Sequence, residues 1–468
     1  MRLKFINYYG KNKIVSIAIS QQVREDLEKD KLDYIYVQNN KYFLCSDGLE
    51  VELDCYKEDK QFTSKLNDYD VYELWEDGTL VNCYCNKNID NYFFVTGKCN
   101  SNCVMCPSPE VARKNGEVNR AEKLIEIAKH IPVNVNHLTI TGGEPFMLGN
   151  SIFKFLNFLK CKFEYTEFLI LTNGRIFAVP KYLEHLKETI PNNTIIGIPL
   201  HGSNAIVHDN ITQVKGSYDQ TVEAIENLCS NGIRVELRIV ISKLNVDDFR
   251  RMVDLIIKKM SKIEYISIMA MEMTGNAYVN REKVWIPYRE AFDKIADSVM
   301  LLIKNGIDVK LYNFPLCTVE RKFWTLCEKS ISSNKVRYTK TCDGCSVKDA
   351  CGGLFAGTYN LENGELKRIE IATVAVRDSK LTIFDEPEAG IDLWSFNSLI
   401  KVFEEIRKET KGTTLIISHQ ERILNIADEI VLLNNGHIEK IGKKEEVMSS
   451  ILKTEKSDCC KLGGESNG

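Results

Sequence analysis

From about residue 91 to about residue 271, short apolar runs alternate with longer segments of helical period. The runs are YFFVT (92–96), HLTIT (137–141), FLILT (168–172), TIIGIPL (194–200), VELRIVI (235–241) and YISIMAM (265–271). Between them lie AEKLIEIAKH, SIFKFLNFLK, YDQTVEAIENLCS and VDDFRRMVDLIIKKM, whose apolar residues recur every three or four positions. The short runs read as strands and the periodic segments as amphipathic helices. Strict alternation predicts parallel strands joined by crossover helices. Six such strands predict an α/β fold, a partial (βα)6 barrel over 91–310. Functional residues are then expected at the strand C-termini and in the loops after them.

The flanking regions differ. Residues 1–90 hold short strands with polar turns, such as KYFLCSD and GLEVELDCYK, and read as a small β-rich region. A cysteine-rich segment covers 311–357, a second α/β stretch 358–455, and the tail KSDCCKLGGESNG (456–468) reads as disordered. With 468 residues and 44% hydrophobic positions, the chain can bury at least two cores.

Charge and cysteine content narrow the chemistry. A net charge of -4 leaves no global basic surface for phosphates, which excludes nucleic acid as a main partner. No apolar run reaches the roughly 18 residues a membrane span needs. The start, MRLKFINYYGKNK, lacks the apolar core of a signal peptide, so the expected location is cytoplasmic. In a reducing compartment, 16 cysteines point to metal ligation where they cluster. The scattered Cys45, Cys55, Cys161 and Cys229 read as small buried hydrophobes, and Cys83 and Cys85 as edge-strand cysteines.

The first cluster is FVTGKCNSNCVMC, at the end of the first strand of the alternating region. Cys99, Cys103 and Cys106 form C-x3-C-x2-C. Three thiolates on one tight loop can ligate three irons of a [4Fe-4S] cubane and leave the fourth iron open for a ligand. A zinc site would want a fourth Cys or His nearby, and Pro107, Ser108 and Pro109 supply none.

This spacing after the first strand of a partial barrel resembles the radical S-adenosylmethionine (SAM) superfamily. The next element of that family, a glycine-rich turn after the second strand, is present as Gly142-Gly143-Glu144-Pro145. The resemblance implies that this turn accepts the methionyl ammonium of SAM, since glycines admit close approach and a carbonyl or carboxylate takes its hydrogens. Leu171-Thr172-Asn173-Gly174 resembles the family's T-N-G turn near SAM. Glu236 and Arg238 share one face of the fifth strand. Arg238 has two readings, a partner for the SAM carboxylate or a partner for Glu236. His201, in Pro199-Leu200-His201-Gly202, is either a substrate contact or a hydrogen-bonded structural histidine.

A second cluster, CDGCSVKDACGG, places Cys342, Cys345 and Cys351 at C-x2-C-x5-C, with Cys317 and Cys327 upstream. Cys317, Cys342, Cys345 and Cys351 could complete a closed auxiliary Fe–S cluster, or a structural zinc site. The C-x2-C-x5-C-G-G form resembles the auxiliary-cluster extensions of peptide-modifying radical SAM enzymes. Taken in order, YFFVTGKCNSNCVMC, LTITGGEP, LTNGRIF, IGIPLHG, VELRIVI, YNFPLC and CDGCSVKDACGG resemble the His-Xaa-Ser system radical SAM maturases over roughly 70–357. That resemblance implies SAM cleavage to a 5′-deoxyadenosyl radical and modification of a ribosomally made precursor peptide. Its implied partners are that peptide, a second radical SAM maturase and a reductant protein. A two-cluster cofactor-biosynthesis enzyme is the alternative within the same chemistry.

The last region resembles part of an ABC-type ATPase, that of the SUF iron–sulfur assembly system. LTIFDEP (381–387) matches a Walker B strand, with Asp385 for Mg²⁺ and Glu386 to polarise water. AGID (389–392), ending in Asp392, matches the D-loop, and His419 the switch histidine. Two departures weigh against turnover. The sequence contains no G-x4-G-K-[ST], so no backbone cradle or lysine holds the phosphates. The signature appears as Leu361-Glu362-Asn363-Gly364-Glu365, with Glu362 where a phosphate-contacting serine belongs. The segment reads as a docking fragment toward SUF assembly proteins, as part of an assembly ATPase or scaffold partner, or as a fusion scar. The purified chain is predicted to release no phosphate from ATP above a protein-free blank; measurable turnover would overturn this reading.

Overall fold

The computed structural model describes residues 3–55, 64–116, 118–332 and 335–359, and beyond these 380–385, 387, 400, 403–404, 412–418, 420–434 and 436–448. The chain divides into two compact units, Met1–Gly357 and Thr358–Gly468.

The first unit opens with a mixed six-stranded sheet. Its strands are β1 (Lys13–Ala18), β2 (Tyr34–Gln38), β3 (Lys41–Ser46), β4 (Leu49–Leu53), β5 (Val71–Leu74) and β6 (Leu80–Tyr84), in the order β4-β3-β2-β1-β5-β6. Helix α1 (Gln21–Lys29) carries the chain from β1 to its parallel neighbour β2. The hairpins β2–β3 and β3–β4 turn on Asn39-Asn40 and Asp47-Gly48, all four at positive φ. Left-handed pairs of this type match the twist of two-residue hairpins, and Asn, Asp and Gly tolerate them best. The polar turns seen in the sequence are therefore what sets this register.

An eight-stranded, all-parallel sheet follows. It contains β7 (Tyr92–Phe94), β8 (His137–Thr141), β9 (Glu167–Leu171), β10 (Thr194–Pro199), β11 (Arg234–Val240), β12 (Tyr265–Met269), β13 (Val309–Tyr312) and β14 (Cys327–Glu328), ordered sequentially. The connecting helices are α2 (Glu110–Asn115), α3 (Ala121–His130), α4 (Ser151–Lys162), α5 (Pro180–Thr189), α6 (Ala205–Thr212), α7 (Ser217–Ser230), α8 (Phe249–Lys259), α9 (Gly275–Val279), α10 (Arg281–Val284) and α11 (Tyr288–Lys304). The six expected strands are present to within a few residues. The sheet then continues through β13 and β14, which are too short to stand out as apolar runs.

The sheet's two faces differ. Phe93, Ile140, Ile170, Ile198, Leu237 and Ile268 lie on one face and are buried in the main core with the helices. The alternate positions carry Thr139, Gly197, Glu236, Arg238, Ser267 and Tyr312. A parallel sheet packed on both sides is usually apolar on both. Here the face away from the helices is mixed: those polar groups share it with Leu169, Leu171, Ile195, Val240 and Met269. Among the described residues no helix is long and apolar enough to cross a membrane.

After β14, β15 (Val336–Arg337) and β16 (Leu354–Phe355) pair antiparallel around the second cysteine group. In the second unit, β17 (Leu381–Asp385) and β18 (Thr413–Ile417) pair in parallel, and β19 (Glu429–Asn434) and β20 (His437–Lys443) form a hairpin. Leu381, Ile383, Leu415 and Ile417 stand largely exposed on the β17–β18 pair.

The N-terminal sheet is joined to α3 by Ser16 Oγ and His130 Nδ1, 2.9 Å apart, and by Lys123 and Glu73, 2.9 Å apart. Burial pushes the His130 pKa down from 6.5 to about 4. An unfolded His130 titrates at the ordinary value, so between these limits the unfolded chain binds more protons. Stability is full above pH 6.5 and falls as pH drops toward 4, by on the order of 3 kcal/mol from this residue. Thermal melting across that window is predicted to fall in the parent and to fall less steeply in His130→Gln. Equal slopes would contradict the assignment.

Candidate functional site

The first cysteine loop leaves β7 and lies across the turn after β8. Val95 N donates to Thr141 O (2.8 Å), Gly143 N to Thr96 O (2.6 Å) and Glu144 N to Lys98 O (2.8 Å). This contact demands glycine. A Cβ on Gly142 would sit 2.5 Å from Thr96 O, and one on Gly143 2.2 Å from Lys98 O and 2.5 Å from Gly97 O. These are backbone atoms that cannot swing aside.

Three helices hold the rest of the loop. Cys99 N reaches Arg113 O of α2 (3.3 Å). Asn102 N and Val104 N reach Thr212 O (3.1 Å) and Ile211 O (2.9 Å) of α6. From α9, Asn276 N donates to Cys106 O (2.9 Å) and its side chain to Cys103 O (3.2 Å). Asn280 donates to Val104 O (2.9 Å). Elements spread over some 180 positions of sequence thus converge on eight residues of loop.

Cys99, Cys103 and Cys106 are free thiols, each partly buried. Burial pushes the Cys103 thiol up to about 12, and Cys106 and Cys99 beside it add to the rise. Burial also raises Cys99, with Glu144 and Cys106 contributing. The raised Cys99 and Cys103 thiols fit a polycation, because bound iron supplies the positive charge that water does not. Among the described residues no three Cys, His, Asp or Glu side chains converge tightly enough to hold a single metal ion. A cubane does not require that, since each cysteine binds a different iron.

The remaining expected site residues sit close by with specific engagements. Glu144 is fully buried and accepts from Thr172 Oγ1 (2.7 Å), Asn173 N (2.7 Å) and Phe146 N (3.1 Å). Its carboxylate ties the turn after β8 to the turn after β9. Pro145 is buried at the start of a 3-10 turn. Asn173 donates its side-chain amide to Asn100 Oδ1 (2.7 Å) and accepts from Arg175 N (3.2 Å), so it braces the cysteine loop. Arg238 pairs with Glu236 at 2.7 Å. Ser267 Oγ also donates to Glu236, whose Oε2 is buried without a partner. His201 is buried and neutral, its pKa pushed down to about 3 by burial and then by His208. Its Nδ1 has no hydrogen-bond partner, which corrects the expectation of a hydrogen-bonded structural histidine at that atom.

The second cysteine group is also drawn together. Cys317 lies within electrostatic reach of Cys351, Cys342 and Cys345. Cys351 Sγ accepts from Leu316 N and Gly353 N, each at 3.4 Å, and Cys342 Sγ lies 3.3 Å from Thr339 Oγ1. Backbone N–H groups on sulfur stabilise a thiolate, so this donor set fits a four-thiolate metal group. Cys327 neighbours Cys351, and burial pushes it up to about 11.

In the second unit Asp385 ends β17, exposed, opposite Ile417. Glu386, Asp392 and His419 lie outside the described residues. Sequence reasoning passed over Arg113, Arg175, Asn276 and Asn280. Only Arg175 carried a signal, as the residue that directly follows the T-N-G turn.

Residues 93–256, about a third of the chain, match the family described as the Radical SAM superfamily. A crystal structure of Streptococcus suis SuiB aligns at 16% identity and TM-score 0.37, covering 50% of this chain and 51% of that one. SuiB bound to S-adenosylmethionine aligns at 13% identity and TM-score 0.39, covering 57% and 56%. Among curated proteins, an energy-coupling factor transporter ATP-binding protein of Oenococcus oeni is 33% identical over 99 residues, 21% of this chain and 34% of that protein. An uncharacterised ABC transporter ATP-binding protein of Methanocaldococcus jannaschii is 37% identical over 101 residues, 22% and 40%. The chain therefore spans about a third of the length of the curated relatives it matches.

Gly143→Ala is predicted to displace the cysteine loop at a cost of about 1–3 kcal/mol and to lower iron uptake on anaerobic reconstitution, with circular dichroism unchanged. Full iron uptake in that variant would contradict the seating described above.

Proposed function

We propose that this chain is a radical SAM enzyme that modifies a ribosomally made peptide. The observation that carries the reading is the loop of Cys99, Cys103 and Cys106, held by four separate elements at the C-terminal end of a parallel sheet. With a [4Fe-4S] cluster and SAM bound, such a loop supplies a 5′-deoxyadenosyl radical by one-electron cleavage of the sulfonium C–S bond. The chain's own residues position and shield. Cys99, Cys103 and Cys106 would hold the cluster. The carbonyls of turn 142–145 would take the SAM ammonium, and Glu144 fixes that turn by three hydrogen bonds.

The peptide reading draws on two features. The sheet is open, with β7 and β14 as its edges and a face between them that carries Glu236, Arg238 and Ser267 among apolar residues, which suits an extended substrate better than a sealed pocket. Cys317, Cys342, Cys345 and Cys351 gather next to β14 and would hold an auxiliary Fe–S cluster beside that face. The partners in this reading are a precursor peptide, a reductant protein and a second radical SAM maturase, and the setting is the cytoplasm.

A further reading concerns the second unit. The Asp385 strand pairs in parallel with β18, as a Walker B strand does with its neighbour, and the matched curated relatives are ATP-binding proteins. We place it as an ABC-ATPase-like fragment without turnover, with docking to SUF assembly proteins as its candidate role.

Reconstituted anaerobically and reduced with dithionite, the chain is predicted to form 5′-deoxyadenosine from SAM. Replacing Cys99, Cys103 and Cys106 with Ala is predicted to lower that to a cluster-free control. Persistence in the triple variant would remove the radical SAM reading. No mass change in a co-encoded small peptide would remove only the peptide reading.

A further inference from the structure

We infer that Arg113 and Arg175 form a pair of cations held for the cluster at Cys99, Cys103 and Cys106, and that they set how readily it accepts an electron. This rests on the reading that those three cysteines hold a [4Fe-4S] cluster.

The two arginines reach the loop from different elements. Arg113 lies on α2 and donates to Ser108 O and to Asn102 Oδ1. Arg175 follows the turn after β9 and donates to Asn100 O (2.8 Å), Ser101 Oγ (3.2 Å) and Gln220 Oε1 (3.4 Å). Together they grip the loop before and after Cys103. Every one of these acceptors is neutral.

Neither guanidinium has a carboxylate partner among the described residues. Arg113 is 4% exposed, and both Nε–H groups are buried with no acceptor. The contrast lies within the same fold. Arg238 pairs with Glu236 at 2.7 Å, and Arg251 with Asp248 at 2.7 Å. Glu110 and Glu144 lie within electrostatic reach of Arg113 and Arg175 but make no ion pair with them: Glu110 pairs with Lys114, and Glu144 accepts from Thr172, Asn173 and Phe146. A buried cation with no counter-ion is costly, and proteins normally pair it. Arg113, buried, and Arg175, half-buried with a buried Nε–H, around one loop point to an anion that the loop itself acquires.

The cysteines meet that need. Cys103 lies within electrostatic reach of Arg113, and Cys99 within reach of Arg175. A cubane ligated by three thiolates is net anionic, and more so after reduction. Nearby positive charge and N–H donors to sulfur therefore favour the reduced form, and these are the levers by which proteins tune Fe–S potentials. The step is the gain of one electron by the cluster from an external low-potential donor. No bond to either arginine forms or breaks. Both arginines act as positioning and electrostatic residues, since neither is a ligand.

The test is a redox titration of the reconstituted full chain, with dithionite and mediators, followed by the paramagnetic resonance of the reduced cluster. That signal reports only loaded protein, so partial loading of a variant does not blur the reading. Arg113→Gln and Arg175→Gln keep a hydrogen-bonding amide and lose the charge. Each should lower the reduced-to-oxidised ratio at the parent's midpoint potential. The double variant should lower it about tenfold, a shift of about 59 mV to more negative potential for a one-electron couple. Arg113→Lys and Arg175→Lys keep the charge and should titrate close to the parent. Gln variants that titrate with the parent would overturn the inference and leave the arginines as loop staples. Lys variants that shift as far as the Gln variants would also overturn it. If the parent itself takes up no cluster, the underlying radical SAM reading fails and this inference falls with it, an outcome distinct from the other two.

Discussion

The site depends on the close seating of the cysteine loop on the turn after β8. Gly143 N reaches Thr96 O at 2.6 Å, and no side chain could stand between these two backbones. That contact fixes the cysteine loop against the turn after β8. It also brings Glu144 under the loop, where its carboxylate locks the next turn through Thr172 and Asn173. Asn173 returns to the loop through Asn100. Three consecutive βα turns are thereby joined in one hydrogen-bonded ring, and the cysteines lie at its rim.

Such a ring changes the meaning of the residues around it. Glu144 and Asn173 lie where SAM contacts were expected, yet their side chains hold the protein to itself. Their contribution is preorganisation: a buried carboxylate with three donors keeps the turn carbonyls at fixed positions. Arg238 is likewise engaged by Glu236, on the sheet face opposite the one packed with Ile, Leu and Phe.

Much of this was legible in the sequence because it is local. Each of the six apolar runs from YFFVT to YISIMAM became a strand, and the C-x3-C-x2-C and GGEP turns carry their meaning in their spacing. What escaped was short or remote. β13 and β14 have four and two residues, too few for a periodic signal, and they extend the sheet in turn, β13 on β12 and β14 on β13. Asn276 and Asn280 lie more than 170 positions from the loop residues Cys103 and Val104 that their side chains brace, and nothing in their own neighbourhood marks them. Arg113 and Arg175 look like ordinary helix and turn residues until their lack of carboxylate partners is seen. In the second unit, Asp385 could be placed on its strand, while Glu386, Asp392 and His419 fall outside the described residues.

In the proposed function, Cys99, Cys103 and Cys106 hold a cluster with one iron open to SAM. The most direct test is the paramagnetic resonance spectrum of the reduced, reconstituted chain before and after SAM is added, with nitrogen-15 placed in the SAM amino group. The account predicts a changed spectrum and a resolved hyperfine coupling from that nitrogen. A reduced cluster whose spectrum is the same with and without SAM, and shows no such coupling, would contradict it.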